Sequence, residues 1–400
     1  PTHTHRLLVD FNAGGGELVG PATLLVEHDG AEHLLERAGD DADVVALQEV
    51  WTAEARNQIQ QAAQSAGYSE IWHRRAAFGG SGLMVLSRLP IRGIRFTPFE
   101  LEGLPQRPQH ADYYGGKGFV ELTLDTPAGP LVVINTHLHA GYTPAPEPDE
   151  YEGIRAAQAI QLAASIRGLR EPVIALGDFN SDEDQPARRI LLGLSGLEDA
   201  ADGLNHRQAT CMRENPYRGQ GAEDARIDLI LSRRGERSAL RPLSIRRVLD
   251  QPIRIPANGA EGSFSDHAGV LADFELEPAE KTESLPAPPD PTALALARKQ
   301  LALGLRISRD RRTRETGYAA GGLAASALLG AGAWQAQRSR RQWLFRTMAG
   351  LTGLGLFGAA GFLFTSRSIG TEEEAGYAKL MDWLDSFQPS RAQHDTLPNP

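Results

Sequence analysis

The sequence predicts a layered α/β domain followed by a linker and a helical membrane hairpin. Three observations carry this: short apolar runs that alternate with helical patterns over residues 5–277, an abrupt proline-rich break at Glu277, and two uncharged 18-residue stretches beyond it.

The apolar runs are His5–Phe11, Asp43–Leu47, Gly82–Leu86, Gly118–Leu124, Pro130–Thr136, Pro172–Leu176, Ile227–Leu231 and Ala268–Phe274. Several are β-branched, and Gly, Pro or Asp bounds them, as expected of strands buried on one or both faces. Between them, Glu152–Arg167 places Ile154, Ala157, Ile160, Ala164 and Ile166 at helical spacing. Residues 1–277 are therefore expected to be one catalytic-sized domain. A single core rarely grows far beyond about 250–300 residues, so the rest of this 400-residue chain forms an appendage.

The segment EPAEKTESLPAPPDP marks a linker over residues 278–291. Residues 292–316 alternate leucines with bases and carry Arg306, Arg309, Arg311, Arg312 and Arg314, the pattern of a juxtamembrane helix that contacts anionic lipid. Gly317–Trp334 and Met348–Thr365 would each span about 27 Å as helices, close to a bilayer core, so residues 317–365 are expected to form a two-helix transmembrane hairpin. Residues 366–400 read as a polar tail, a short helix followed by a loose end.

A formal charge of −10 and a pI near 5.6 argue against a nucleic-acid partner, because binding to a phosphate backbone leans on an excess of Lys and Arg. The single cysteine, Cys211, excludes an intrachain disulfide, and no local His/Cys cluster surrounds it in sequence, so it reads as an ordinary buried residue. The first 25 residues hold no long apolar core, and the catalytic part is expected in the cytoplasm.

Polar residues collect where predicted strands end, the place at which open α/β sheets gather ligands. They are Asn12, Glu49, Asn135, His137, His139, Asp178, Asn180, Asp228, Asp266 and His267. Glu49 closing an apolar strand reads equally as a surface carboxylate or a metal ligand. Magnesium needs only one or two carboxylates plus substrate phosphate. GDFN reads as a plain turn, or as Asp178 orienting water or leaving group while Asn180 donates to a phosphoryl oxygen. If Asp228 accepts from one nitrogen of His267, the imidazole is held in one tautomer and can take a proton from water. His137 would then lend charge or a hydrogen bond, with His139 behind it or merely at a strand end.

Asn12, LQEVW, SGLMVLSRLPI, NTHLHA, GDFN, RIDLIL and SDH, in that order, resemble the endonuclease/exonuclease/phosphatase superfamily over residues 5–275. The resemblance implies a four-layer sandwich of two mixed β-sheets flanked by helices. It also implies Mg²⁺, with Mn²⁺ as the alternative ion, on Glu49 and Asn12, and phosphate surrounded by His137, Asp178 and Asn180. His267 would be the general base, oriented by Asp228, with Asp266 beside the metal or water.

Within the superfamily, LQEVW, THLHAGY with IRAAQAIQLA, and SDHAGVLADF are similar to the neutral sphingomyelinases, as is the pair of C-terminal apolar segments. Asp112 and Lys117 of ADYYGGKGF match an Asp/Lys pair that in this family gates the active site; the plain alternative is two solvated loop charges. Asn135 and His139 are expected to face substrate with them. The residues after Asn12 depart from the family, AGGG replacing its Cys/Ile-Trp-Gly, which touches headgroup choice. The implied activity is hydrolysis of sphingomyelin, or a related sphingo- or lysophospholipid, to ceramide and phosphocholine. Another phosphoesterase on the same fold and an inactive membrane-anchored binding protein are the alternatives.

Overall fold

The computed structural model describes residues 3–12, 42–74, 80–107, 110–142, 149–204, 206–218, 223–254, 261–281 and 286–387, with the side chains of residues 3, 6–12, 111, 254 and 261 outside that description. The chain forms two units, one of Pro1–Leu104 with Pro108–Ala297, the other of Arg298–Pro400 with Pro105–Arg107.

The first unit holds the strands β1 (His3–Asn12), β2 (Val44–Gln48), β3 (Glu70–His73), β4 (Met84–Ser87), β5 (Ile91–Pro98), β6 (Gly118–Thr126), β7 (Gly129–His137), β8 (Val173–Asp178), β9 (Glu198–Asp199), β10 (Asp228–Arg233), β11 (Ser238–Val248), β12 (Ile253–Arg254), β13 (Glu261–Gly262) and β14 (Gly269–Pro278). Its complete helices are α1 (Ala53–Ser65), α2 (Glu152–Arg167) and α3 (Pro186–Ser195). One six-stranded sheet runs β11-β14-β1-β2-β4-β3 and the other β5-β6-β7-β8-β10-β9. Both are mixed, as expected: β1 with β2 and β7 with β8 pair parallel, and the other pairs in the two sheets are antiparallel.

Strand alternation builds the layers. Val44 and Ala46 of β2 join Val120, Leu122, Val133, Ile174 and Ile230 in the apolar cluster between the sheets. Val45 and Leu47, on the opposite face, join Ala55, Ile59 and Ala63 of α1 in a second cluster. On the far face of the other sheet, Ser165 of α2 donates to Glu121 of β6. The sheets are also bolted by polar groups, since Gln48 Nε2 donates to Asn135 Oδ1 at 2.6 Å while Asn135 Nδ2 reaches the carbonyls of Leu47 (3.1 Å) and Met84 (3.2 Å).

The expected linker continues the first unit. Arg167 donates to the Ala287 carbonyl at 3.0 Å, and Asp290 N–H donates to Gly193 O at 2.8 Å. Asp290 then accepts from Thr292 N–H at 2.8 Å, capping the helix that Pro291 opens.

That helix, α4 (Pro291–Arg338), is 48 residues long and takes in both the segment expected to be juxtamembrane and the first apolar stretch. α5 (Gln342–Phe364), a π-turn at Thr365–Ile369 and α6 (Gly370–Asp385) return alongside it, so the expected polar tail is helical through Asp385. Small residues set the close approach: a Cβ on Gly355 would lie 2.3 Å from Ser326 Oγ, and one on Gly304 2.5 Å from Tyr377 Oη. Arg309 (3.5 Å) and Arg312 (2.8 Å) pair with Glu374, and Arg311 pairs with Glu373. Three of the five arginines expected to meet anionic lipid are therefore engaged within this unit.

Among the described residues one helical stretch, Gln342–Asp385, holds an 18-residue window with mean hydropathy 1.5 and is long and apolar enough to cross a membrane. Gly317–Trp334 does not meet the same measure, being mostly Ala and Gly. Large apolar side chains are nonetheless exposed on both arms, including Tyr318, Leu328 and Trp334 on α4 and Leu354, Phe357 and Phe364 on α5.

Candidate active site

The register of three adjacent strands places His137 (β7), Asp178 (β8) and Asp228 (β10) side by side at one edge of the second sheet. In the first sheet, Asn12 at the end of β1 pairs with Gln48 at the end of β2, directly before Glu49. Asn12 thus ends its strand beside Glu49, though its side chain lies outside the described residues.

The turns that carry the oxygens are tight. Glu49 and Asn180 both adopt left-handed backbone, at φ 54° and 46°. Asn tolerates that region, whereas for Glu it is a strained conformation held by its surroundings. Val50 N–H donates to Gly82 O at 2.9 Å, and the Trp51 ring lies where a Cβ on Gly82 would be, 2.8 Å away. Gly177 of GDFN is required too, because a Cβ there would meet the Thr136 carbonyl at 2.0 Å. Asp178 Oδ1 accepts from Asn180 N–H at 2.7 Å, and Asn180 Nδ2 donates to Leu138 O at 3.1 Å, so GDFN is also the turn its composition predicts.

Burial pushes the half-buried Glu49 carboxyl up to about 8; Lys117 lowers it, Asp266 and Asp178 raise it, and His267 lowers it again. His267 Nδ1 stands 3.0 Å from Asp228 Oδ1. Burial works against the imidazolium, but the Asp228 carboxylate and the Cys211 thiol overcome it and hold His267 well above its ordinary value. Cys211 is therefore beside the site rather than an ordinary core residue, because the fold brings it to an imidazole far away in sequence.

Lys117 is fully buried. Its ammonium meets Asp112 Oδ1 at 2.9 Å, His137 Nε2 at 2.9 Å and the Leu138 carbonyl at 2.8 Å. The reading of Asp112 and Lys117 as solvated loop charges is thereby corrected. His137 Nε2 also lies 3.3 Å from Asp178 Oδ2, and one nitrogen cannot both accept from Lys117 and donate to Asp178. The shorter contact with the ammonium puts the proton on Nδ1, a buried atom without a protein partner among the described residues. Burial, with Lys117 adding to it, lowers the His137 value, so the ring is neutral.

His139 is packed behind this group. Its ring stacks on Tyr151 at 4.0 Å, Nδ1 contacts Ala140 O at 2.8 Å and Asp112 Oδ2 at 3.3 Å, and burial lowers its value to about 4. Asn135, expected to face substrate, instead spends its amide on the bonds between the sheets. Tyr142 was missed by residue-level reasoning: its ring stacks on His110 at 4.1 Å and its hydroxyl bonds Asp112 near Glu49. Only its place in THLHAGY hinted at it.

The Endonuclease/Exonuclease/phosphatase family matches residues 11–267, which hold every one of these groups. The chain belongs to that family. Among its relatives, a Drosophila melanogaster protein whose name marks it as a candidate neutral sphingomyelinase is 35% identical over 61% of this chain and 56% of the relative. The inositol phosphosphingolipids phospholipase C of Saccharomyces cerevisiae is 31% identical over 44% and 39%. Rattus norvegicus sphingomyelin phosphodiesterase 2 is 29% identical over 60% and 59%. The chain spans about half the length of the curated relatives it matches.

Among solved structures, Streptomyces griseocarneus sphingomyelinase C superposes with a TM-score of 0.52 at 21% identity, covering 70% of this chain and all of that one. The D. rerio TDP2 structure with a single-strand DNA product gives 0.52 at 18%, over 68% and 98%. At such identities the likeness shows the fold alone.

A divalent cation fits the family's site in this chain. Glu49 keeps its proton up to about 8 because it is desolvated beside Asp266 and Asp178, and a hard cation is the group that would discharge such a cluster of oxygens.

Proposed function

We propose that the chain is a metal-dependent phosphodiesterase that cleaves a sphingophospholipid in the phospholipase C manner, releasing ceramide and, from sphingomyelin, phosphocholine. The observation that carries this reading is the His267–Asp228 pair beside Asp178 and His137, with Glu49 of the facing sheet close enough to feel the charges of Asp178 and His267, together with relatives named for sphingomyelin and inositol phosphosphingolipids.

Glu49, with Asn12 and Asp266 beside it, would hold Mg²⁺, which when bound supplies charge to a phosphoryl oxygen. Once His267 has lost the proton that Asp228 makes it hold to higher pH, its free nitrogen takes the proton of the attacking water, and Asp228 fixes the ring and stabilises the imidazolium that forms. Asn180, by giving up its Nδ2 bond to Asp178 Oδ2 (3.1 Å), and the Nδ1–H of His137 donate to phosphoryl oxygens, where a neutral ring kept in one tautomer by Lys117 costs little to reorganise. Asp178 holds the GDFN turn and orients the leaving side. Asp112 and Lys117, closed on each other at 2.9 Å, act as the gate.

The exposed apolar faces of α4 and α5 support insertion of the whole hairpin into a bilayer, with both polar ends on one side. Tethering raises the local concentration of a lipid substrate. Two headgroups are supported by the names of the relatives, and one assay separates them: the water-soluble product from sphingomyelin against that from an inositol phosphosphingolipid, in mixed micelles with Mg²⁺. Phosphocholine alone selects the first, inositol phosphate alone the second, and neither rejects the proposal.

A further inference from the structure

Cys211, Asp228 and His267 come from three separate segments, yet each offers a donor atom within 4.8 Å of the other two and all three side chains are buried. Cys211 is pinned by an isolated backbone bridge to Ala225, just ahead of β10, and its thiol bonds the imidazole that Asp228 holds. Asp228 spends only Oδ1 on His267; its Oδ2 is buried with no hydrogen-bond partner among the described residues. A buried carboxylate oxygen without a partner, on a residue grouped with a thiol and an imidazole, is a costly arrangement to leave unfilled.

The chemistry of the set is unlike that of the Glu49 corner. Magnesium takes oxygen donors and has no use for sulfur. A thiolate, an imidazole and a carboxylate are zinc-type ligands, and three protein donors leave a fourth tetrahedral position for water. We propose that Cys211, Asp228 and His267 form a second metal site, selective for zinc-class transition ions over magnesium, whose occupation removes the general base and so switches the enzyme off. The metal takes the place of the proton between His267 and Asp228 and of the thiol proton, and both pass to solvent.

The inhibitory half of this proposal rests on the role given above to His267; the metal site itself does not, so the two are read separately. The full-length protein, purified in detergent under a non-chelating reductant, is incubated at length with Co²⁺ alone, because the donors are buried. The expected result is a thiolate-to-cobalt charge-transfer band with the visible bands of tetrahedral cobalt, abolished by Zn²⁺ but not by excess Mg²⁺. In Cys211→Ser and Cys211→Ala, each checked for fold by circular dichroism, the thiolate band disappears and the Zn²⁺ dissociation constant rises at least about tenfold.

With saturating Mg²⁺, Zn²⁺ then inhibits wild type at a concentration at least about tenfold lower than in either variant. A cobalt spectrum without a thiolate band, or equal Zn²⁺ affinity in wild type and both variants, overturns the site. A thiolate band without inhibition leaves the site standing and overturns the switch.

Discussion

Lys117 Nζ and Asp112 Oδ1 lie 2.9 Å apart in an ion pair whose ammonium is wholly buried and also bonded to His137 Nε2 at 2.9 Å. The proposed gate is thus also part of the buried interior. Removing one partner leaves an uncompensated charge inside, so Lys117→Ala should destabilise the catalytic unit by about 3 kcal/mol as well as slow turnover. In a double-mutant cycle, Asp112→Asn combined with Lys117→Met should cost clearly less than the sum of the single variants. Additive losses in denaturant melts would show that the pair is not coupled.

Glu49 gives a pH signature. Its folded value, about 8, lies above the ordinary 4.5, so the folded state favours the protonated carboxyl. At pH 4 neither state is penalised; as pH rises from 4.5 towards 8 the unfolded chain ionises first and stability is lost. Glu49→Gln should therefore melt higher than wild type at pH 8 in EDTA, by roughly 1–3 kcal/mol after allowance for its partial exposure, and equally at pH 4. Mg²⁺ should raise the melting temperature of wild type and leave the variant unmoved.

The His267–Asp228 pair separates chemistry from metal binding. His267→Ala should lower kcat by about 10²–10⁴-fold while the Mg²⁺-induced rise in melting temperature persists. Asp228→Asn leaves the ring without its carboxylate, so the loss should fall on kcat rather than KM. A change confined to KM would move His267 from proton transfer to substrate binding.

Asn135 tests the structural reassignment. Asn135→Ala strips partners from Gln48 Nε2 and two buried carbonyls, and should cost about 1–3 kcal/mol for each group left unsatisfied. Its KM should match wild type under conditions where the variant is folded; a raised KM with unchanged stability would return Asn135 to the substrate.

The eight strands that carry the core were legible because their apolar runs are continuous and sharply bounded. β5, with Arg92 and Arg95 exposed beside half-buried Ile91, and β11, dense in arginine, carry no such run; they exist because a neighbouring strand supplies the hydrogen-bond ladder. α1 was lost to its weak apolar content, only Ala55, Ile59, Ala62 and Ala63 being buried.

In the site, strand-end position found Glu49, His137, Asp178 and Asp228, since strands that end together place their last residues together. Position alone could not tell Asn135 from His137, two residues apart on one face of β7. Nor could it reveal Cys211, whose neighbours arrive from elsewhere in the chain.

The central claim is that Glu49 and His267 serve a metal-dependent cleavage of a sphingophospholipid. The most direct measurement is phosphocholine release from sphingomyelin in mixed micelles by wild type, Glu49→Gln and His267→Ala, each with Mg²⁺ and with EDTA. The account predicts release by wild type with Mg²⁺ alone, and loss in both variants. Release that survives EDTA, or near wild-type turnover in either variant, would contradict it.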